Sequence, residues 1–161
     1  MRAFIMTMTP RRAGLFADDM LIKDVRKTFD RARPPYKCYV YCMASRDCNE
    51  LERRRAQRDT KFRLDKWRGK IIGEFICTEE KPFPKLMAFR DFNDTQLTAE
   101  EYNALRKDWY KMRMLTISDR KIYEKPLELE KFTLINGKPV NQIYSKITEV
   151  KEIGTNDESG S

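Results

Sequence analysis

Asp24 and Arg26 stand two residues apart in the segment LIKDVRK, residues 21–27. On a strand that spacing puts both side chains on one face. A carboxylate beside a guanidinium can read the edge of a base or hold a phosphate contact in place. A plain surface ion pair has the same spacing, so the pattern alone leaves both readings open. Lys27 follows directly, and Arg11 and Arg12 add two cations a short way upstream.

A second set of cations lies between residues 53 and 70: Arg53, Arg54, Arg55, Arg58, Lys61, Arg63, Lys66, Arg68 and Lys70, with Phe62 and Trp67 among them and only Asp59 and Asp65 against them. Arginine offers forked donors for phosphate and a flat face for stacking, and an exposed aromatic ring can stack a base. This composition fits a nucleic-acid contact surface. It also fits a solvated loop in which Trp67 only anchors the chain to a core.

Several chemistries are excluded by what is missing. The chain has no histidine, so no Ser-His-Asp or Cys-His arrangement can form, and no glycine-rich phosphate loop is present. None of the four cysteines, Cys38, Cys42, Cys48 and Cys77, forms the C-x-x-C pair usual in structural zinc sites. In KCYVYC, alternation puts Cys38 and Cys42 with Val40 on one face of a strand, which suits small buried thiols. Neither a metal nor a cofactor is expected.

The elements that would position these residues follow from local pattern. Residues 3–8 form an apolar strand, and Thr9 with Pro10 opens a helix over residues 10–17. LIKDVRK reads as a short strand. Pro34-Pro35 breaks the chain before a strand over residues 36–43. Residues 50–70 lack a sustained apolar stripe and read as a helical turn or long surface loop. KIIGEFICT, residues 70–78, is a strand, and residues 79–94 read as irregular, with Pro82 and Pro84. Thr98 and Glu101 form a capping box, with Tyr102, Leu105, Trp109 and Met112 following at helical spacing as a core-facing stripe. Short strands are expected at 115–117, 121–123 and 142–150, with a turn at Asn136-Gly137.

With 161 residues, 40% of them hydrophobic and 36% charged, the chain can bury one core, and a single domain over residues 1–152 is expected, followed by a disordered tail at 153–161. The formal charge of +8 is unevenly placed. Residues 1–70 carry 19 Lys/Arg against 9 Asp/Glu, a net of +10, and residues 71–161 carry a net of −2. Such asymmetry favours a polyanionic partner, RNA or DNA first, although a solubility surface has the same composition. No apolar run has the length of a signal peptide core or a membrane span, so a cytoplasmic protein with reduced thiols and no membrane partner is expected.

Five stretches, taken as a set, are similar to the ASCH family, a branch of the PUA-like fold common in bacteria and phages. They are the first strand and helix with their Thr-Pro start, DVRK at 24–27, KCYVYC at 37–42, GKIIGEFIC at 69–77 and ISDRKIYEKPLELEKF at 117–132. The resemblance covers most of residues 1–132. It implies an α+β fold: a small, mostly antiparallel PUA-like β-barrel with helices packed at its ends, and a cleft that in relatives binds RNA or a modified nucleoside. It also implies that Ser118 and Asp119, in the Ile-Ser-Asp turn, complete that cleft, although both residue types favour turns for local reasons.

Some relatives are amidohydrolases acting on acetylated cytidine, with a Gly-x-Lys-Thr-like segment whose Lys and Thr act as base and nucleophile. Here the matching positions fall on or near Asp19, Leu21 and Ile22, whose last two side chains can neither accept a proton nor attack a carbonyl. Lys23 could substitute only through a two-residue slip in register. The family's C-terminal segment, usually rich in Pro, Gln and Trp, is altered to KPVNQIYSKI, with Gln142 and Tyr144 as nearest counterparts. The resemblance therefore implies a non-catalytic nucleic-acid-binding module with RNA preferred. Two alternatives stand beside it: a phage-encoded accessory or anti-defence protein whose basic face binds and inhibits a host protein, and an acetylcytidine-type amidohydrolase.

Overall fold

The computed structural model describes residues 1–27, 33–43, 54, 58, 64–143 and 147–153. Six strands, β1 (Ala3–Met8), β2 (Lys23–Lys27), β3 (Tyr36–Cys42), β4 (Ile71–Pro82), β5 (Met112–Leu127) and β6 (Ile147–Val150), form one sheet in the order β2-β5-β4-β3-β1-β6. The β1–β3 pair is parallel and the other four are antiparallel. The helices are α1 (Pro10–Ala17), α2 (Leu64–Trp67), α3 (Phe89–Thr95) and α4 (Ala99–Arg106). The sheet curls into a half-barrel, the α+β architecture expected of a small PUA-like fold.

Strand alternation divides the core. Phe4, Met6 and Met8 of β1, with Tyr36, Cys38, Val40 and Cys42 of β3, bury against Leu15 and Phe16 of α1. Their sequence neighbours Ala3, Ile5 and Tyr39 point the other way and are covered by Phe132 and Val140 from the segment after β5. Each such large apolar side chain contributes about 1.5–3 kcal/mol on burial. A third cluster, Phe83, Leu97, Met112 and Met114, lies with Val25, Phe92 and Tyr102 under α3 and α4.

α1 starts as its sequence requires. Thr9 is extended and its hydroxyl accepts from the Arg12 N–H at 3.5 Å, while Pro10 occupies the first turn. At the other end Arg120 Nη1 donates to the carbonyls of Phe16 and Ala17 at 3.2 and 2.6 Å, satisfying acceptors that the helix leaves unpaired. The capping box of α4 is present in full, with the Thr98 N–H donating to Glu101 at 2.8 Å and the Glu101 N–H to Thr98 at 3.1 Å.

Four local expectations change. The strands expected at 115–117 and 121–123 are parts of one strand, β5, in which Asp119 alone takes a left-handed backbone (φ 50°). Three register shifts in the β4–β5 ladder absorb that irregularity, so pairing continues past it. β4 runs on to Pro82, where a proline at a strand end costs little, and α3 forms within the stretch read as irregular. The helix expected to carry Trp109 and Met112 stops at Arg106. Asp108 disfavours continuation, because a carboxylate at a helix C-terminus opposes the helix dipole, and Met112 is instead captured as the first residue of β5. The last strand spans Ile147–Val150 only; Gln142 lies in an exposed bend, and 144–146 lie outside the described residues.

Gly73 sits where β4 and β5 approach most closely. A Cβ there would run into the Lys121 carbonyl oxygen and crowd Ile122. Backbone cannot swing aside as a side chain can, so Gly73→Ala is expected to destabilise the protein by about 1–3 kcal/mol. The check is urea denaturation: the midpoint should fall with an unchanged m-value.

Candidate functional site

Alternation along β2 brings Asp24 and Arg26 to the α1 side of the sheet, and the first turn of α1 delivers Arg12 to the same place. Arg26 Nε donates to Asp24 Oδ2 at 2.8 Å, and Arg12 Nη2 donates to Asp24 Oδ1 at 3.1 Å. Asp24 is 2% exposed, and Arg12 and Arg26 are each 9% exposed. Two guanidinium groups thus share one carboxylate in a nearly water-free setting, an excess of one positive charge. Arg12 Nη1 is buried without a hydrogen-bond acceptor among the described residues. Burial by itself would raise the Asp24 carboxyl. The charges of Arg26 and Arg12 and their hydrogen bonds outweigh it and hold the group below its ordinary value of 3.8.

The surrounding wall is weakly polar. Cys38 lies within electrostatic reach of Arg26 and Asp24, and burial pushes its thiol well up. Burial also raises Cys77 and Tyr36, and the Tyr36 hydroxyl donates to Glu80 at 3.1 Å. Protonated thiols of this kind are poor nucleophiles and poor metal ligands. Among the described residues no group of three or more Cys, Asp or Glu side chains could hold a metal ion, and Cys48 lies outside them. Across the β2–β5 ladder, Arg26 pairs with Arg113 and Asp24 with Leu115, so half-buried Arg113 shares the face of the Asp24 cluster. Sequence reasoning passed over Arg113. Its signal was its place in the strand opposite Arg26, visible only once the register is known.

The other candidates disperse. Arg11 turns to α4, donating to Glu101 at 3.2 Å and to the Gln96 carbonyl at 3.1 Å, and so joins helix to helix. Lys27 is exposed at the end of β2. The Ser118 hydroxyl lies 2.9 Å from that of Thr78, and Asp119 is exposed at its left-handed turn. Neither touches the Asp24 cluster among the described contacts. Arg54, Arg58, Lys66 and Arg68 are exposed, whereas Arg53, Arg55 and Arg63 lie outside the described residues. Trp67 is half-buried against the α1-side core, and Gly69 (φ 70°) reverses the chain behind it, its N–H donating to the Cys42 carbonyl at 3.0 Å. Trp67 therefore anchors this segment.

Leu21 is buried in the core at 2% exposure, and Ile22 is half-exposed beside β5, its carbonyl accepting from Ile117 at 3.0 Å. Lys23 pairs with Thr116 in unslipped register, and its ammonium donates to Asp91 at 3.0 Å.

A second buried polar cluster, unforeseen from sequence, lies on the opposite face. Lys37 Nζ is 3.0 Å from Glu74 and 3.4 Å from Glu152, and the Tyr123 hydroxyl donates to Glu74 at 2.6 Å. Nearby, the Ile153 N–H donates to the Tyr39 hydroxyl at 2.9 Å, tying the end of the described chain to β3. Lys37 and Glu74 each belong to strands whose alternation could have been read. What buries them is the irregular segment after β5, which carries no periodic signal.

No family model and no curated protein matches the sequence. Solved structures do match. The ASCH protein of Zymomonas mobilis is similar with a TM-score of 0.62 and 10% identity, over 98% of this chain and 94% of that one. A Ser-to-Ala variant of the same protein gives the same figures. A Tyr-to-Phe variant gives a TM-score of 0.55 and 9% identity, over 80% of this chain and 77% of that one. The chain has the fold of these ASCH structures. No helix among the described residues is long and apolar enough to cross a membrane.

Proposed function

We propose that the chain is an ASCH-family module that binds nucleic acid, RNA in preference to DNA, and carries out no catalysis. The observation that carries this reading is the Arg12–Asp24–Arg26 cluster. Its two buried guanidinium groups bond to one carboxylate, Asp24, and among the described residues Arg12 Nη1 still lacks an acceptor. Leaving a donor unpaired costs about 1–3 kcal/mol. An anionic or carbonyl-bearing ligand atom arriving there would recover that cost. The hydrolase reading loses support for a specific reason: the position of the base is core leucine, and Lys23 is held by Asp91.

Fluorescence anisotropy with single-stranded RNA and DNA oligonucleotides, across a range of salt concentrations, tests the proposal. Affinity should fall steeply as salt rises, because each phosphate contact on a single strand contributes about 0.7 to the slope. Changing Arg53, Arg54 and Arg55 together to alanine should lower the slope by up to roughly 2 units without altering ligand preference. Arg26→Lys should instead narrow the difference between ligands, since an ammonium cannot reproduce the fork. Failure to bind any oligonucleotide at low salt overturns the proposal and turns the basic face toward an acidic protein partner.

A further inference from the structure

Among the described residues, Trp109 (37% exposed) and Tyr110 (64% exposed) are aromatic rings left facing water, both in the single 3₁₀ turn Trp109–Lys111 that leads into β5. Their rings meet edge to face, 6.1 Å apart at 86°, which sets them as a perpendicular corner. Cations surround that corner. Lys111 Nζ stands 5.5 Å from the Tyr110 ring centre, and Arg106 and Lys107 are exposed just before the turn. The sequence RKDWYKMR, residues 106–113, interleaves four cations with two exposed aromatics and one carboxylate.

Topology connects this corner to the Asp24 cluster. Met112 pairs with Lys27 and Arg113 with Arg26, at the sheet edge formed by β2. Tyr110 therefore lies three residues, at most about 11 Å of chain, from the residue opposite Arg26. Arg12 and Arg26 are buried, Arg113 is half-buried, and Lys111 and Tyr110 are exposed.

We infer that Tyr110 and Trp109 form a base-stacking platform for single-stranded nucleic acid, whose backbone runs along Arg113 and Lys111 toward Arg26. The inference rests on the proposed nucleic-acid binding and specifies its ligand: a strand with unpaired bases rather than a duplex. Stacking requires bases that can leave their neighbours, which paired bases cannot do cheaply. It also moves the aromatic contact from Trp67, which is packed against the core, to a turn in the half of the chain with net negative charge.

The test compares a short oligouridylate with an RNA duplex of equal length, at one low salt concentration. Tyr110→Ala should weaken single-strand binding by about 5- to 150-fold, the equivalent of about 1–3 kcal/mol for one stacked base, and leave duplex binding within about twofold. Tyr110→Phe, which keeps the ring, should bind as the unaltered protein does, and Trp109→Ala should follow Tyr110→Ala. Single-strand affinity that survives both alanine changes overturns the inference and leaves nucleic-acid binding standing. Equal losses on single strand and duplex also overturn it, since stacking would not weaken both. If the unaltered protein binds neither ligand, both the inference and the function it rests on fall.

Discussion

Asp24→Ala is expected to cost about 3–5 kcal/mol of folding stability, because it strands two buried guanidinium groups whose shared counter-charge is gone. No change at an exposed ion pair should approach that figure, since those contribute about 0–1 kcal/mol. Asp24→Asn separates charge from shape: the amide oxygen can still accept one hydrogen bond, but the second arginine meets a donor. The pH dependence gives a further check. Burial opposes the Asp24 charge, but Arg26 and Arg12 overcome it, so the folded-state pKa lies below the ordinary 3.8. A lowered carboxyl contributes stability that is fully present above the unfolded value and lost as pH falls through the folded value. Below about pH 4 the unaltered protein should therefore lose stability more steeply than Asp24→Asn does. Urea midpoints measured down the acid limb would show it, and identical acid limbs would mean that Asp24 is not the ion the geometry makes it.

The same cluster shows how far sequence reasoning reached. The i, i+2 spacing of Asp24 and Arg26 placed them on one face, and Arg12 followed from the helix start at Thr9-Pro10; all three meet. What the spacing could not tell was depth. A surface ion pair and a buried one share the same pattern, and the difference depends on α1 lying over β1 and β3, from where Arg12 reaches Asp24. Arg11 shows the converse, since one residue along the helix points to α4 and serves packing. Trp109 was misplaced because residues 102, 105, 109 and 112 fit a helical period, yet Asp108 and the pull of the β2–β5 ladder end the helix first. Periodicity reports which face a residue would take if the element continues. It is silent on where long-range pairing interrupts the element, and the exposure of Trp109 and Tyr110 arises from that interruption.

Lys37→Met is expected to be as damaging as the loss of Asp24, at about 3–5 kcal/mol. Lys37 is 8% exposed at its side chain and Glu74 10%, and the ammonium is the cation 3.0 Å from that carboxylate. Removing it takes away the ammonium beside a buried carboxylate, whose Oε1 still accepts from the Tyr123 hydroxyl at 2.6 Å. It also removes one of two cations from Glu152, which Lys37 holds at 3.4 Å and the N-terminal ammonium of Met1 at 3.1 Å. Glu74→Gln removes the charge while keeping an acceptor for Tyr123, so the double change Lys37→Met with Glu74→Gln should be less destabilised than the two single losses summed. A coupling of about 0.5–3 kcal/mol is the range for residues in direct contact. Burial would lower the Lys37 pKa, but the Glu74 hydrogen bond and the surrounding negative charge raise it above 10.5. A raised lysine contributes stability that is complete below its unfolded value and lost as pH climbs through the folded one. The unaltered protein should accordingly weaken above about pH 10.5, on a limb that Lys37→Met lacks. Additive single losses, with the alkaline limb intact in the variant, would show that Lys37 and Glu74 do not form the pair that fastens the C-terminal segment to the sheet.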